Sequence, residues 1–543
     1  MQRRSAWLLH RLLLILLVSL SACTGQPTAT TPTGTLRWSL DGVSDVTSLD
    51  PAHPADQQSN IVINLIFGGL IRIDQNLKVQ PDGAERWEVS PDGQTYTFFI
   101  RRNLAFGDGT PVTAQDFRYS INRTLAPATA AYGSPAQLQH IVGALEVIEG
   151  RATEASGVRA LDDYTLEIKL DAPLAYFLAQ LNYPFSFVVP RHLIEREGAQ
   201  WTEKAVGTGP FRLKEWRRGE RIILEANPHY WQGAPGVATI ELPFFKDIDA
   251  AYQSYRQGNL DLMGNNQAGV PASRATEVQD LPDLRRTIPL TVRYIGFNNQ
   301  RPPFNNDSVR QAFALAVDRR VITRQVLSEA VQPTNRILPK GMPGSDIAIT
   351  GQSFDPVGAR AALGLAGYPS GQTLPPVTLT FSNEGDNIAV AEALRQLWRD
   401  TLGVDVRLDG LDLPAFIVRL NATYREPMQG MDMYLSVWGA DYPDPQNFLS
   451  QQLSTNSPYN NGHWSDPAFD QLVAQADSMG SASQYDERMR LYTQAEQIAL
   501  NRVGWIPLYT PQATMLIRPN IRGLFFTAQG VLAPNWTQVE VEK

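Results

Sequence analysis

Apolar and polar positions alternate with a period of two at several points along this chain. Thr35-Leu-Arg-Trp-Ser-Leu40 and Thr95-Tyr-Thr-Phe-Phe-Ile100 each read as a strand with one buried face. Pro91-Asp-Gly93 supplies the turn ahead of the second. Arg293-Tyr-Ile-Gly-Phe-Asn-Asn299 is strand-like as well and runs into the turn Pro302-Pro-Phe304. Elsewhere the period is helical. Thr113 is placed to cap a helix with Asp116 three residues on, and Phe117, Ile121 and Leu125 follow at helical spacing. Ser308 to Val317 predicts an amphipathic helix with Val309, Ala312, Phe313 and Ala316 on one face. Val377-Thr-Leu-Thr-Phe381 and Val404-Asp-Val-Arg-Leu408 read as strands flanking a helix from about Ala389 to Leu402. That strand–helix–strand order predicts an α/β fold. The apolar run Met433-Tyr-Leu-Ser-Val-Trp438 predicts a buried strand ending at Gly439. Tyr442-Pro-Asp-Pro445 then forces a turn, because each proline fixes its own φ and restricts its predecessor.

The start of the chain follows another pattern. Arg3, Arg4 and Arg11 surround the beginning of an apolar core, Leu12-Leu-Leu-Ile-Leu-Leu-Val18, which is too short to span a bilayer comfortably. Leu20-Ser-Ala-Cys23 comes next. This is a secretory signal ending in small residues before a cysteine. It resembles the bacterial lipobox, which implies that Cys23 is cut free, acylated and becomes the new N-terminus. Cys23 is the only cysteine, so no disulfide forms within the chain. Thr24 to Thr35 carries no charge and is rich in Thr, Pro and Gly, as a flexible tether would be. Acylation at more than one position makes such an anchor stable.

The 543 residues are 43% hydrophobic and 19% charged, enough for a large core and more than one domain. No apolar run after Cys23 reaches membrane-spanning length. The net charge of -8, without a basic cluster among aromatics, argues against a nucleic-acid partner. No internal repeat is visible.

Enzyme signatures are weak. The six histidines, His10, His53, His140, His192, His229 and His463, form no metal-ligating pair at helical spacing, and there is no G-x-S-x-G elbow. No metal and no cofactor is expected. Gly207-Thr-Gly209 superficially suggests a phosphate loop but lacks the third glycine or the lysine such loops need, and Pro210 removes a donor. The lone carboxylate Asp441 is more informative. It sits at the end of the predicted strand, where α/β proteins place their clefts. Beside Trp438 and Tyr442 it suits an ammonium group by charge pairing and cation–π attraction. An Asp in a turn can equally bond its own backbone.

Trp438-Gly-Ala-Asp-Tyr-Pro-Asp-Pro-Gln-Asn-Phe-Leu449 resembles the signature of the extracytoplasmic solute-binding proteins of family 5, the oligopeptide and dipeptide receptors of ABC importers. Gly107 to Asp116, Val206-Gly-Thr-Gly-Pro-Phe211, Gly258 to Met263 and Val309-Arg-Gln-Ala312 continue the resemblance over nearly the whole mature chain. The resemblance implies a two-lobed α/β periplasmic-binding-protein fold (type II, cluster C) with an extra inserted domain and a hinge. The expected division is 1–22 signal peptide, 23–35 lipidated tether, 36–66 with 186–290 and 509–543 as lobe I, 67–185 as inserted domain II, and 291–508 as lobe III. Tyr294 to Asn298 and Trp505 to Tyr509 are the expected hinge crossings.

In function, the resemblance implies a monomeric, lipid-anchored receptor, not an enzyme, that captures short peptides and hands them to a membrane permease. A sugar, opine or metal-chelate binder, or an enzyme or sensor using the same cleft, is the alternative. Asp441 is the expected partner of the peptide ammonium group, with backbone of Val437 and Gly439 pairing the extended ligand as an added strand. Trp438 is placed to stack on ligand or pack in the core. Tyr132 in Ala130 to Ser134, and Gln57 in the loop Asp56 to Ser59, are further ligand candidates by resemblance. One departure concerns the ligand's other end. Family members often carry a base shortly before the Asp, whereas Met431-Asp-Met-Tyr-Leu435 has none. Arg425, in what reads as a long loop from Asn421 to Gly430, is the available substitute.

Overall fold

The computed structural model describes residues 32–542 except 54–55, 132–133, 266–268, 272–273, 329, 529 and 534. Cys23 and Tyr132 therefore lie outside the described residues.

Three sheets organise the molecule. In the first, Thr35–Arg37 and Leu40–Asp41 both lie parallel to Thr239–Phe245, which continues antiparallel through Arg221–Ala226 to Phe211–Arg217. Residues some 200 positions apart thus share one core, in which Leu36, Leu40, Leu224 and Ile240 are buried. The second sheet is a four-stranded antiparallel meander, with Ala84–Val89, Thr95–Ile100, Thr165–Lys169 and Val158–Asp162 in that order. Its expected strand Thr95–Ile100 alternates as read, burying Tyr96, Phe98 and Ile100. Against it packs the helix Ala114–Leu125, opened by the Thr113–Asp116 capping box and burying Phe117, Ile121 and Leu125.

The third sheet has six strands in the order Val331–Pro333, Trp505–Pro511, Thr291–Phe297, Met433–Gly439, Thr378–Ser382, Arg407–Leu411. Helix Asn387–Leu402 joins the last two strands of this order, which run parallel, and buries Leu394 and Trp398 in their core. The expected strand at Val404 starts three residues later, at Arg407. A small three-stranded sheet, Leu262–Met263, Ala513–Ile517 and Leu284–Thr287, lies beside the first.

Two chain segments pass from the three-stranded sheet to the six-stranded one. Leu284–Thr287 leads into Thr291–Phe297 through residues 288–290, and Trp505–Pro511 leads into Ala513–Ile517 through Gln512. The expected crossings, Tyr294 to Asn298 and Trp505 to Tyr509, are instead adjacent strands inside the six-stranded sheet. The chain crosses at their ends, where no ladder holds the backbone. Two expected loops are also helical. Gln57–Ile66 is a helix capped by Asp56, whose carboxylate accepts Ser59 N–H at 2.7 Å. Asn421 to Arg425 is the last turn of the helix Leu413–Arg425. Among the described residues no helix is long and apolar enough to cross a membrane.

Candidate functional site

The strand Met433–Gly439 is central to its sheet and buried over its first four residues. Thr291–Phe297 pairs with all of it, from Thr291 opposite Gly439 to Phe297 opposite Met433. On its other side Thr378–Ser382 pairs only with Met433 and Tyr434. Among the described residues the stretch Leu435 to Gly439 therefore keeps one strand edge without a partner, open to an added strand.

The chain leaves this strand through Ala440, whose N–H donates to Leu290 O at 2.8 Å. Asn447, wholly buried, then arranges the turn. Its Oδ1 accepts Asp441 N–H at 3.1 Å, its backbone carbonyl accepts the Trp438 indole N–H at 2.9 Å, and its Nδ2 faces Asp441 Oδ2 at 3.4 Å. Asp444 caps the following short helix through Gln446 N–H at 3.0 Å. The turn is thus held by side chains on both sides of Asp441. Tyr442 points away from it, into the core of the four-stranded body, where it stacks on Tyr176 with ring centroids 6.0 Å apart.

Asp441 lies in the wall of a cavity of about 520 Å³ bounded by all three sheet bodies. Burial pushes its carboxyl up to about 6, against hydrogen bonds from Asn447 and Gln451 that favour the charged form. No basic side chain offsets it among the described residues. Burial, and after it the charge of Asp441, push the Tyr183 hydroxyl up to about 12. Asn60, on the helix Gln57–Ile66, is close to Tyr183, and its buried Oδ1 has no hydrogen-bond partner among the described residues. This is a site with one uncompensated carboxylate and a waiting acceptor, suited to a cationic, donor-rich group.

Among the expected site residues, Asp441, Gly439 and Gln57 line this cavity together. Val437 and Trp438 do not. The Val437 side chain is 41% exposed on the unpaired edge, and Trp438 is half-buried, edge-on to Tyr459. Arg425 is exposed at a helix end away from the cavity wall. Sequence reasoning missed Asn60, Arg72, Asp82 and Tyr183, all in the wall. No local motif marks them; they meet only through the tertiary fold.

Thr208 also lines the cavity, and its flanking glycines serve packing. A Cβ on Gly207 would stand 2.2 Å from Ile66 O, and one on Gly209 2.7 Å from it. Gly209 N–H donates to that same carbonyl at 2.8 Å. The segment is therefore the seat of a helix C-terminus and no phosphate loop. Gly207→Ala is expected to destabilise the protein by about 1–3 kcal/mol through overpacking, read as a lowered melting temperature. An unchanged melting temperature would contradict this close approach. Among the described residues no cluster of three metal-ligating side chains exists.

The sequence profile of the bacterial extracellular solute-binding proteins, family 5, matches residues 78–460. The chain is 33% identical over 510 residues to the periplasmic oligopeptide-binding protein OppA of Escherichia coli, covering 91% of this chain and 90% of that one. It is 30% identical over 512 residues to the dipeptide-binding protein DppE of Bacillus subtilis, covering 92% and 91%. The solved structure of Haemophilus influenzae OppA in complex with the peptide RPPGFSPFR superimposes with a TM-score of 0.73 at 25% identity, covering 95% of this chain and all of the other. The described architecture is thus the two-lobed α/β fold of periplasmic peptide-binding proteins, and the chain belongs to the bacterial extracellular solute-binding proteins of family 5.

Proposed function

We propose that this protein is the receptor of an ABC importer for short peptides with a free α-ammonium group. The observation that carries this reading is Asp441: a carboxylate in the cavity wall, without a basic partner among the described residues, beside an unpaired strand edge. An extended peptide would pair with Leu435 to Gly439 as an added strand and present its ammonium group to Asp441, with Gly439 and Gln57 alongside. Main-chain pairing gives affinity without reading sequence, so many peptides would be accepted. The names of the relatives, binders of oligopeptides and dipeptides, agree with this reading.

The division into lobe I (36–66, 186–290, 509–543), inserted domain II (67–185) and lobe III (291–508) follows the sheet memberships except at residues 509–511, which pair within the six-stranded sheet, and closure would bend residues 288–290 and 512. The signal at the N-terminus favours export, acylation at Cys23 and delivery to a permease as a lipid-anchored monomer. Mass spectrometry of what co-purifies with the protein tests the ligand class. A ladder of short peptides of mixed sequence is expected; a single non-peptide mass would keep the receptor and overturn the peptide.

A pH dependence follows from Asp441. Its carboxyl, raised to about 6 in the empty cavity, must be ionised to hold an ammonium group. The sign is that protonation competes with ligand: affinity falls about tenfold per pH unit below about pH 6, and again above about pH 8 as the peptide's own amine deprotonates. Calorimetric titration of tri-alanine from pH 4.5 to 9 is expected to give this bell shape, with the acidic limb absent in Asp441→Asn. A flat profile between pH 5 and 7 would rule out an ionised Asp441 as the anchor.

A further inference from the structure

We propose that a second cavity, separate from the one that holds Asp441, is a binding site for a small organic acid, a single carboxylate on a compact apolar body. This cavity has a volume of about 740 Å³ and shares no wall residue with the first among the described residues. It lies where the helix Ala114–Leu125 meets the segments 47–53 and 194–202. The helix Gln57–Ile66 stands between the two cavities. Its Ser59 Oγ accepts Thr47 N–H at 3.0 Å and Ser48 N–H at 3.3 Å in the wall of the second, while Gln57, Asn60 and Ile61 line the first.

In this wall the carboxylate is used up and the donors are not. Asp50 is buried, and its Oδ1 accepts Ala52 N–H and Arg123 Nη1, both at 3.0 Å. Its Oδ2 accepts Arg123 Nη2 at 2.5 Å, with His53 Nδ1 3.5 Å away. Ser48 Oγ is taken by Asp50 N–H at 3.0 Å. Against this, Trp201 is 3% exposed and its indole N–H has no acceptor among the described residues, yet the atom is not sealed from solvent. It therefore opens onto the cavity that Trp201 lines. The Tyr119 hydroxyl lacks a partner in the same way, and burial raises it above its ordinary value against the charge of Arg123, which keeps it a donor. Arg123 spends on Asp50 only part of a guanidinium's five donors, and its charge stands 5.6 Å from the centre of the Trp201 ring. A buried donor without an acceptor costs free energy that an acceptor-rich ligand recovers.

Charge points the same way. A hydrogen bond to Asp50 holds His53 above its ordinary value against the effect of burial, so Arg123 and a protonated His53 together outnumber Asp50 by one charge. At the rim Arg191 and Glu195 pair with each other at 2.7 Å, and the Arg191 guanidinium lies 5.2 Å from the centre of the Tyr119 ring. A carboxylate has acceptors only, which matches the donor surplus, and one charge, which matches the charge surplus. A dianion would leave its second charge facing Asp50. Ala128, Ile194 and Ala199 give the cavity an apolar side for the body of the ligand.

The test is calorimetric titration of the full chain with benzoate at pH 6, alone and with saturating tri-alanine. One benzoate site per chain is expected, unchanged by the peptide and favoured over neutral benzamide by about tenfold. Trp201→Phe and Tyr119→Phe each keep an aromatic ring and remove one donor. Each should weaken benzoate by about three- to tenfold and leave tri-alanine affinity as it was. Inorganic phosphate should bind more weakly than benzoate. The comparison of benzoate with benzamide on wild-type protein stands even where a variant folds poorly. No saturable benzoate binding, benzoate displaced by tri-alanine, benzoate held no better than benzamide or phosphate, or benzoate held equally by both variants overturns the site. Benzoate bound as expected with no binding of tri-alanine overturns the peptide reading alone.

Discussion

Asp441→Ala is expected to weaken binding of free-amine peptides by about 3–5 kcal/mol, which is roughly a hundredfold to several-thousandfold in affinity. The loss exceeds the net worth of one charge-assisted hydrogen bond, about 1.5–3 kcal/mol, because truncation leaves the ligand's ammonium group in the wall of a cavity with no counter-charge. N-acetylated peptides carry no ammonium group, so their affinity should change little. They are the control that separates a lost ion pair from a disturbed turn. Asp441→Asn sharpens the comparison, since an amide can still meet Asn447 while removing the charge. The unliganded variant should not be destabilised. A buried carboxylate raised to about 6 destabilises the folded empty protein increasingly as pH rises from its unfolded value toward 6, so removing it restores stability at neutral pH. Competition binding with a fluorescent peptide reads the affinities, and thermal melting reads the stability. Equal losses for acetylated and free peptides would sink the ammonium role.

The parts of this protein that were legible in sequence are those whose signal is local. The helix Ala114–Leu125 announces its start through Thr113 and Asp116 and its buried face through Phe117, Ile121 and Leu125. The strand Met433–Gly439 is apolar because neighbours cover most of it, and the prolines that follow mark its end. Errors arose where burial and pairing part company. Val404 and Val406 are both buried, yet they lie on the connection into the sheet, and the ladder begins only at Arg407. Their apolar character therefore dated the strand too early. Asp56 was read as part of a loop, although an Asp with its carboxylate free to accept N–H groups is also a helix cap. The cavity wall was the least legible. Asp441 could be singled out because a charged residue closing an apolar run is anomalous. Asn60, Arg72 and Tyr183 sit in ordinary contexts, and only long-range pairing brings them to the same cavity. Arg425, the basic residue nearest before Asp441 in sequence, is exposed at a helix end, whereas Arg72 reaches the cavity wall from a strand far earlier in the chain.

The turn that carries Asp441 depends on a buried arginine, and Arg488→Ala is expected to reduce stability by about 3–5 kcal/mol. Only 5% of the Arg488 side chain is exposed. Its Nη2 lies 2.5 Å from Asp444 Oδ1 and 3.2 Å from the Tyr492 hydroxyl. Asp444 is itself buried and caps the short helix Pro445–Asn447, which ends on the residue that orients Asp441. Close by, burial pushes the Asp477 carboxyl up to about 7 although Tyr492, Ser450 and the Arg488 charge favour its ionised form. Ala175 N–H donates to the Asp477 backbone at 2.9 Å, so the same cluster joins the six-stranded body to the four-stranded one beside the Tyr176–Tyr442 stack. Without Arg488, two carboxylates share this space with no cation between them. Asp477, already raised by burial, loses the Arg488 charge that favours its ionised form, so the stability it costs grows as pH rises and is recovered as pH falls. The deficit of Arg488→Ala, read from the urea denaturation midpoint, should accordingly be smaller at pH 5 than at pH 7.5. Adding Asp444→Ala removes one stranded charge and should restore part of the loss, which a double-mutant cycle isolates as a coupling energy. Wild-type stability in the single variant would refute the role of this pair. Lost stability with unchanged peptide affinity would show that Asn447 holds Asp441 without help from the arginine beneath it.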